Sequence, residues 1–283
     1  MKSIVTTLLA AALLLAVNTI TAQNCCKKPT GTGMKELAMN IDFKAAHEAP
    51  LPLEYAPEKG SMIKVATKGG PDASAFYVPS DGTSDKVLIV VHEWWGLNDY
   101  IKREAENWQK LLGGNVAVYA IDLYDGKVAS TPDEAGKYMG ALNPKRAEAI
   151  INGVIQKIGK GKKIATLGWC MGGSWSFTAS VLAGNQAAGC VMYYGFPEKD
   201  MSRIKPLKAD VLYIRGTQDT YITEADVKGL EKDVKSVGRK FAMYSFDAPH
   251  AFANPSNPKH NAKATGEAQE LSLKFLKEKL KID

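Results

Sequence analysis

Short apolar runs and helically spaced apolar stripes alternate along most of this chain. Val87 to His92 and Val116 to Ile121 are continuous apolar runs, the pattern of strands buried on both faces of a parallel sheet. Lys163 to Gly168, Gly189 to Tyr194, Val211 to Arg215 and Lys240 to Phe246 also read as strands. Between them lie helices. Ile101, Ala105, Trp108 and Leu112 fall at helical spacing after Asn98-Asp99. Thr131-Pro132-Asp133-Glu134 has the form of a capping box with proline at the first helical position. Asn143-Pro144 opens a stripe of Ala147, Ile150, Ile151, Val154, Ile155 and Ile158. Further helices are expected over Gly173 to Leu182, Thr223 to Val237 and Asn261 to Leu280. Ahead of this alternation, Ser61 to Thr67 and Ala73 to Val78 flank a Gly-Gly-Pro-Asp turn and predict a β-hairpin. The whole reads as a single doubly wound α/β domain over residues 61–283, a mostly parallel sheet flanked by helices with an N-terminal hairpin.

The first sixty residues differ. Lys2, the apolar stretch Thr6 to Val17 and the small-residue site Thr21-Ala22-Gln23 have the form of an export signal, expected over residues 1–22. The apolar stretch is short of the roughly 20 residues a membrane span needs, so the mature chain is expected to be periplasmic or extracellular without a span. Residues 23–60 hold Pro29, Pro50, Pro52 and Pro57 and little periodicity, and read as an extended arm, disordered near Lys27 to Gly33.

Composition narrows the function. The chain has 283 residues, 45% of them hydrophobic, enough for a full core. Its net charge of +6 is spread without a basic stripe, which gives no footprint for nucleic acid. Four cysteines make no disulfide framework at this length: Cys25 and Cys26 are adjacent in the arm, and Cys190 lies in an apolar run.

Cys170 is different. Gly168-Trp169-Cys170-Met171-Gly172 places it between two glycines where a strand turns into a helix. A nucleophile on so sharp a turn needs neighbours without bulk, and the following helix turns its amides and positive dipole end toward the sulfur. The competing reading is a small core hydrophobe beside a Gly-rich turn. A thiol nucleophile needs a base and the base an orienting acid. Strand ends of such a sheet collect sites, which singles out His92-Glu93, Asp122, Cys170, Asp219 and His250. Of four histidines, His47 lies in the arm, His260 begins the closing helix on the solvent side, and His92 ends a buried strand as a polar group of the core; His250 is the preferred base. Asp219 is the preferred acid, with Asp247, three residues from His250, as the local alternative. The amide of Met171 and that of Trp94 or Trp95 would supply oxyanion donors, and the tryptophans would wall an apolar pocket. Glu93 stands where a carboxylate would raise the thiol pKa and hold its proton.

These residues resemble the dienelactone hydrolases from about Ser61 to Leu280. The resemblance rests on His92-Glu93-Trp94-Trp95-Gly96-Leu97-Asn98, Asp122-Leu123-Tyr124, Gly168-Trp169-Cys170-Met171-Gly172-Gly173, Gly216-Thr217-Gln218-Asp219 and His250-Ala251-Phe252, in that order. It implies an α/β-hydrolase fold with Cys170 as nucleophile, His250 as base, Asp219 as acid and Glu93 as the group that keeps the thiol quiescent. It also implies hydrolysis of small esters or lactones through an acyl-enzyme, with no cofactor or metal. Two arginines that hold the substrate carboxylate in lactone-opening members fall here at Gly126 and Asn254; Lys127 offers one weaker point charge. Two rival readings remain: a non-catalytic ligand-binding module on the same fold, and a redox pair of Cys170 with Cys190.

Overall fold

The structure is a computed structural model that describes residues 32–283. The expected signal, its cleavage site, Cys25, Cys26 and residues 27–31 lie outside the described residues.

One sheet of eight strands organises the chain, in the spatial order β1-β2-β4-β3-β5-β6-β7-β8. β1 (Ser61–Val65) and β2 (Ala73–Val78) form the expected antiparallel hairpin, and β2 also runs antiparallel to β4 (Ala117–Ile121). β3 (Lys86–Val91), β5 (Lys163–Trp169), β6 (Ala187–Tyr193), β7 (Asp210–Gly216) and β8 (Phe241–Phe246) are parallel to their neighbours. The chain steps from β3 out to β4 and then back across to β5, so strand order reverses beside β3. Ligands collect at the carboxyl ends of strands beside such a reversal.

The helices are α3 (Asp99–Leu111), α4 (Pro132–Ala141), α5 (Pro144–Ile158), α6 (Met171–Leu182), the one-turn α7 (Met201–Ile204), α8 (Glu224–Ser236) and α9 (Ala262–Leu280). Their apolar stripes face the sheet. Ala147, Ile150, Ile151, Val154 and Ile158 of α5 are buried, as are Val227, Leu230 and Val234 of α8. Side-chain oxygens start them: Asn98, Asn143 and Asn261 each accept an amide of the first turn. The box expected at Thr131 forms only in half. Thr131 accepts the Glu134 amide, but Glu134 reaches back to the amide and hydroxyl of Ser130. The complete box is instead at Thr223 and Asp226, ahead of α8.

The arm departs most from expectation. Residues 32–46 fold into two short helices, α1 (Thr32–Ala38) and α2 (Ile41–Ala46), and residues 47–60 run on without regular structure. Asn40 caps α2 by accepting the Phe43 amide at 2.8 Å, and Met34, Ala38, Phe43 and His47 are buried. A helix of seven or six residues is too short to write a periodic stripe, and the prolines flank these turns without entering them.

The end of the arm is anchored on Glu106 of α3. Its buried carboxylate accepts the Tyr55 hydroxyl and the amides of Glu58, Lys59 and Gly60, the last three at 3.1, 2.8 and 2.5 Å. Burial opposes the charge, but these donors together hold the carboxyl below its usual range. Glu106→Ala is expected to cost about 2–3 kcal/mol in urea denaturation at pH 7, because several donors lose a charged acceptor. With the folded pKa depressed, this contribution is complete above the unfolded value near 4.5 and disappears as pH falls through the folded value. The variant's stability should therefore fall less with acid than that of the wild type.

Candidate active site

The turn after β5 is built as its glycines imply. Cys170 has φ +53° and ψ −122°, in the positive-φ region that side chains rarely adopt. A Cβ on Gly168 would lie 2.1 Å from the Gly172 carbonyl oxygen. One on Gly172 would lie 2.3 Å from the carbonyl oxygens of Val91 and His92. No side chain fits at either position, so the two glycines let the helix start press against β3 and lift Cys170 onto the sheet's edge. The Cys170 amide donates to the Tyr193 carbonyl at 2.9 Å, which fixes the turn to β6. Met171 opens α6, where first-turn amides have no partner within the helix.

Loops after β5, β7 and β8 bring Cys170, Asp219 and His250 together. His250 Nδ1–H donates to Asp219 Oδ2 at 2.7 Å, and Nε2 lies 3.3 Å from Cys170 Sγ. Asp219 Oδ1 accepts the amides of Tyr221 and Ile222 at 2.9 and 3.0 Å. Burial opposes the Asp219 charge, yet the facing His250 and these amides hold the carboxyl below its ordinary value. Burial also opposes charge on His250, but Cys170 and Asp219, one at each ring nitrogen, together push its pKa up to about 10. The arrangement therefore favours the charged form of the His250 ring, which Asp219 holds in place beside the sulfur. Asp247 is occupied elsewhere: it accepts from Gln218 Nε2 at 2.9 Å and from the Thr217 hydroxyl at 3.3 Å.

His92 is a satisfied core histidine. It donates from Nδ1 to the Glu93 carbonyl at 2.6 Å and accepts the Leu123 amide at Nε2, 3.1 Å away. Asp122 closes a turn by accepting the amides of Tyr124 and Gly126. Cys190 faces Ser176 in the core, and burial raises its thiol pKa to about 11. The redox pairing is excluded by register. Cys190 pairs with Thr166, four residues before Cys170, an offset of about 13 Å along the sheet, against the 7 Å limit for a disulfide. His260 is half-buried ahead of the Asn261 cap, against the solvated position expected.

Glu93 is buried at the end of β3, and its Oε2 has no hydrogen-bond partner. Burial raises its pKa to about 8, against the smaller opposing effects of His250 and a hydrogen bond from Asn254. Asn254 itself accepts from the amide and hydroxyl of Ser256 at 2.8 and 2.7 Å, so the amide at this position is turned toward Glu93. A carboxyl whose folded pKa exceeds its unfolded one favours the fold below pH 4.5 and loses that contribution as pH rises to about 8. Each unit of the difference is worth about 1.4 kcal/mol. Glu93→Gln should therefore flatten the fall in melting temperature between pH 5 and 9.

Trp94 and Trp95 are both buried, with ring centroids 5.0 Å apart. Trp94 packs against Phe43 at 5.3 Å and His47 at 4.5 Å, so the expected apolar wall is completed by the arm. Phe43 and His47 each lie 5.6 Å, centroid to centroid, from His250, and Tyr221 lies 5.8 Å from it. Under this cover Cys170 and His250 are 4% and 8% exposed. Lys127 sits apart from that cluster on an exposed turn, its Nζ 5.6 Å over the Tyr138 ring, in a groove shared with Tyr124 and Arg146. Tyr124 links the two regions, with its hydroxyl 3.2 Å from Met171 Sδ. The sequence reading set His47 aside and did not assign roles to Phe43, Tyr124 or Tyr221. Tyr124 had a signal in the Asp-Leu-Tyr motif, whereas the arm residues had none.

The model of the dienelactone hydrolase family matches residues 73–280. The chain belongs to the dienelactone hydrolase family. This family assignment makes it a hydrolase. A protein of Aquifex aeolicus (strain VF5) provisionally named carboxymethylenebutenolidase is 26% identical over 215 residues, 72% of this chain and 93% of that protein. Protein usf of Aquifex pyrophilus is 27% identical over 204 residues, 68% and 88% of the two chains. Among solved structures, the dienelactone hydrolase-like promiscuous phosphotriesterase P91 from metagenomic libraries superposes with a TM-score of 0.64 at 16% identity, covering 78% of this chain and 99% of that one. The Pyrococcus furiosus esterase Pf2001 superposes with a TM-score of 0.61 at 14% identity, covering 83% and 97%. These two likenesses establish the α/β-hydrolase fold.

Proposed function

We propose that this dienelactone hydrolase family member cleaves small carboxylic esters or lactones through an acyl-enzyme on Cys170. The observation that carries the reading is the relay from Asp219 to His250 to Cys170, at 2.7 and 3.3 Å. The thiol proton passes to His250 Nε2 and the sulfur adds to the carbonyl carbon. The carbonyl oxygen takes the negative charge, held by the amides of Met171 and Trp94. His250 then returns the proton to the departing alkoxide, which in a lactone stays tethered to the acyl group. Water attacks the thioester with His250 as its base, and the sulfur leaves.

Glu93 holds a proton at neutral pH in this scheme and so does not oppose the thiolate. Trp95 supports the apolar wall. Lys127, whose ammonium rests on Tyr138 in a groove apart from the sulfur, does not replace the pair of guanidinium forks that would hold a substrate carboxylate. Neutral short-chain esters are thus favoured over carboxylate-bearing lactones. The α2 turn must move for substrate to reach the sulfur. Export is part of the reading: residues 1–22 would be removed, which N-terminal sequencing of the chain recovered outside the cytoplasm would check.

The test is intact-protein and peptide mass spectrometry after rapid quenching with p-nitrophenyl acetate, unsubstituted butyrolactone and a carboxylate-bearing lactone. An acetyl mass on the peptide containing Cys170 is expected with the first. Ligand binding without any adduct or product would favour the binding-module reading.

A further inference from the structure

Of the candidates in the molecule, the groove at Lys127 has its Arg146 paired with Asp125, the recess beside Glu93 adjoins the site already described, and the Ser176–Cys190 cluster is satisfied within the core. His47 is not accounted for. It is 3% exposed, its Nδ1–H donates to the Phe43 carbonyl at 2.7 Å, and its Nε2 is buried without a partner. A buried, unpaired ring nitrogen costs about 1–3 kcal/mol, so its persistence calls for a ligand.

One ring nitrogen each of His47 and His250 and the sulfur of Cys170 lie within 4.8 Å of one another. We propose that His47, Cys170 and His250 form a binding site for a borderline-soft divalent metal ion of the zinc class. Two imidazoles and a thiolate are the donors such an ion selects, with a fourth position left for water. Both rings already carry the outer partners of metal-bound histidines: a backbone carbonyl on Nδ1 of His47, a carboxylate on Nδ1 of His250. Each partner fixes the tautomer that leaves Nε2 as the lone-pair nitrogen. Tetrahedral metal–nitrogen and metal–sulfur bonds of about 2.0 and 2.3 Å require the widest of the three gaps to close by no more than about 1.5 Å. The metal replaces the proton held between Cys170 and His250, and that proton leaves to solvent. Because the ion takes the sulfur and pins α2 over it, the loaded protein should not turn over esters. Metal binding itself does not depend on the hydrolytic reading.

The experiment uses the full chain carrying Cys25→Ser and Cys26→Ser, so that Cys170 and the core thiol Cys190 are the cysteines left. Cobalt(II) is added, then displaced with zinc. Expected is a single tight equivalent with a thiolate-to-cobalt charge-transfer band in the near ultraviolet, abolished in Cys170→Ala. In His47→Gln the affinity should fall by at least about 100-fold, the upper end of what loss of an outer partner costs. X-ray absorption on the zinc-loaded chain, which needs no ligand variant, should show one sulfur and two imidazoles. Absence of the thiolate band, unchanged affinity in His47→Gln, or a single imidazole around zinc would overturn the site. If the metal binds as described and the apo protein forms no acyl-enzyme, only the hydrolytic reading falls; turnover without the metal signature removes only this site.

Discussion

Cys170→Ala is expected to lower kcat/KM for p-nitrophenyl acetate by about 10⁴- to 10⁶-fold, the range seen when a nucleophile is removed from a triad that acts as a unit. The size follows from what is left behind. Without sulfur there is no acyl-enzyme, and His250 has only water to activate, at a distance set by a side chain that is gone. Any residual rate comes from the oxyanion amides and from binding alone. The change removes one small atom at a turn held by glycines and by the Cys170 amide bond to Tyr193, so the melting temperature should move little. Cys190→Ala gives the contrast. That thiol sits beside Ser176 in the core, its pKa raised by burial, and its loss should leave the rate constant while costing some stability. Equal rates for wild type and Cys170→Ala would remove the nucleophile from the scheme. Slow alkylation of wild-type Cys170 by iodoacetamide, relieved when α2 is loosened, would locate the remaining barrier in the arm.

The parts of the molecule that were legible in the sequence share a cause. Strands such as Val87 to Val91 are buried on both faces, so burial writes an unbroken apolar run. Gly168 and Gly172 are legible because the turn admits nothing larger, and the chain order Cys170, Asp219, His250 survives any loop length between strands. The arm was not legible. Residues 32–46 form two helices held by scattered contacts with the domain, and Phe43 covers His250 from 207 positions away in the chain. No local pattern records such a contact, and prolines nearby favoured an extended reading. His47 belongs by chain position to the arm, yet it lies against His250 and Cys170. Lys127 shows the converse. Its chain position beside a family motif suggests a point charge for a substrate carboxylate, whereas its ammonium rests on Tyr138 along a separate groove. Residue type and order single out Cys170, Asp219 and His250, which the fold brings within contact of one another; what covers them depends on tertiary packing.

Asp219→Asn should lower kcat/KM by about 10²- to 10⁴-fold, the upper figure being that for the equivalent change in a serine triad. An asparagine is nearly the same shape, so the loss reports charge and tautomer more than packing. Asp219 Oδ1 takes two amides and Oδ2 takes His250 Nδ1–H. The two amides require an oxygen at one position, which places the new NH₂ against His250. The ring must then accept at Nδ1 and carry its proton on Nε2, facing the sulfur, where it cannot take the thiol proton as a neutral base. Loss of the carboxylate also removes one of the two charges that raise His250 to about 10, so its pKa should fall. The sign of the pH effect follows. With a lower pKa the imidazolium gives way to the neutral ring at lower pH, so the titration of the His250 ring protons followed by NMR should move to lower pH in Asp219→Asn. Asp247→Asn is the companion measurement. Asp247 is hydrogen-bonded to Gln218 and Thr217, so its replacement should leave both the His250 titration and the rate near wild type. A larger loss of rate in Asp247→Asn than in Asp219→Asn would transfer the orienting role to Asp247, and with it the relay on which the proposed chemistry stands.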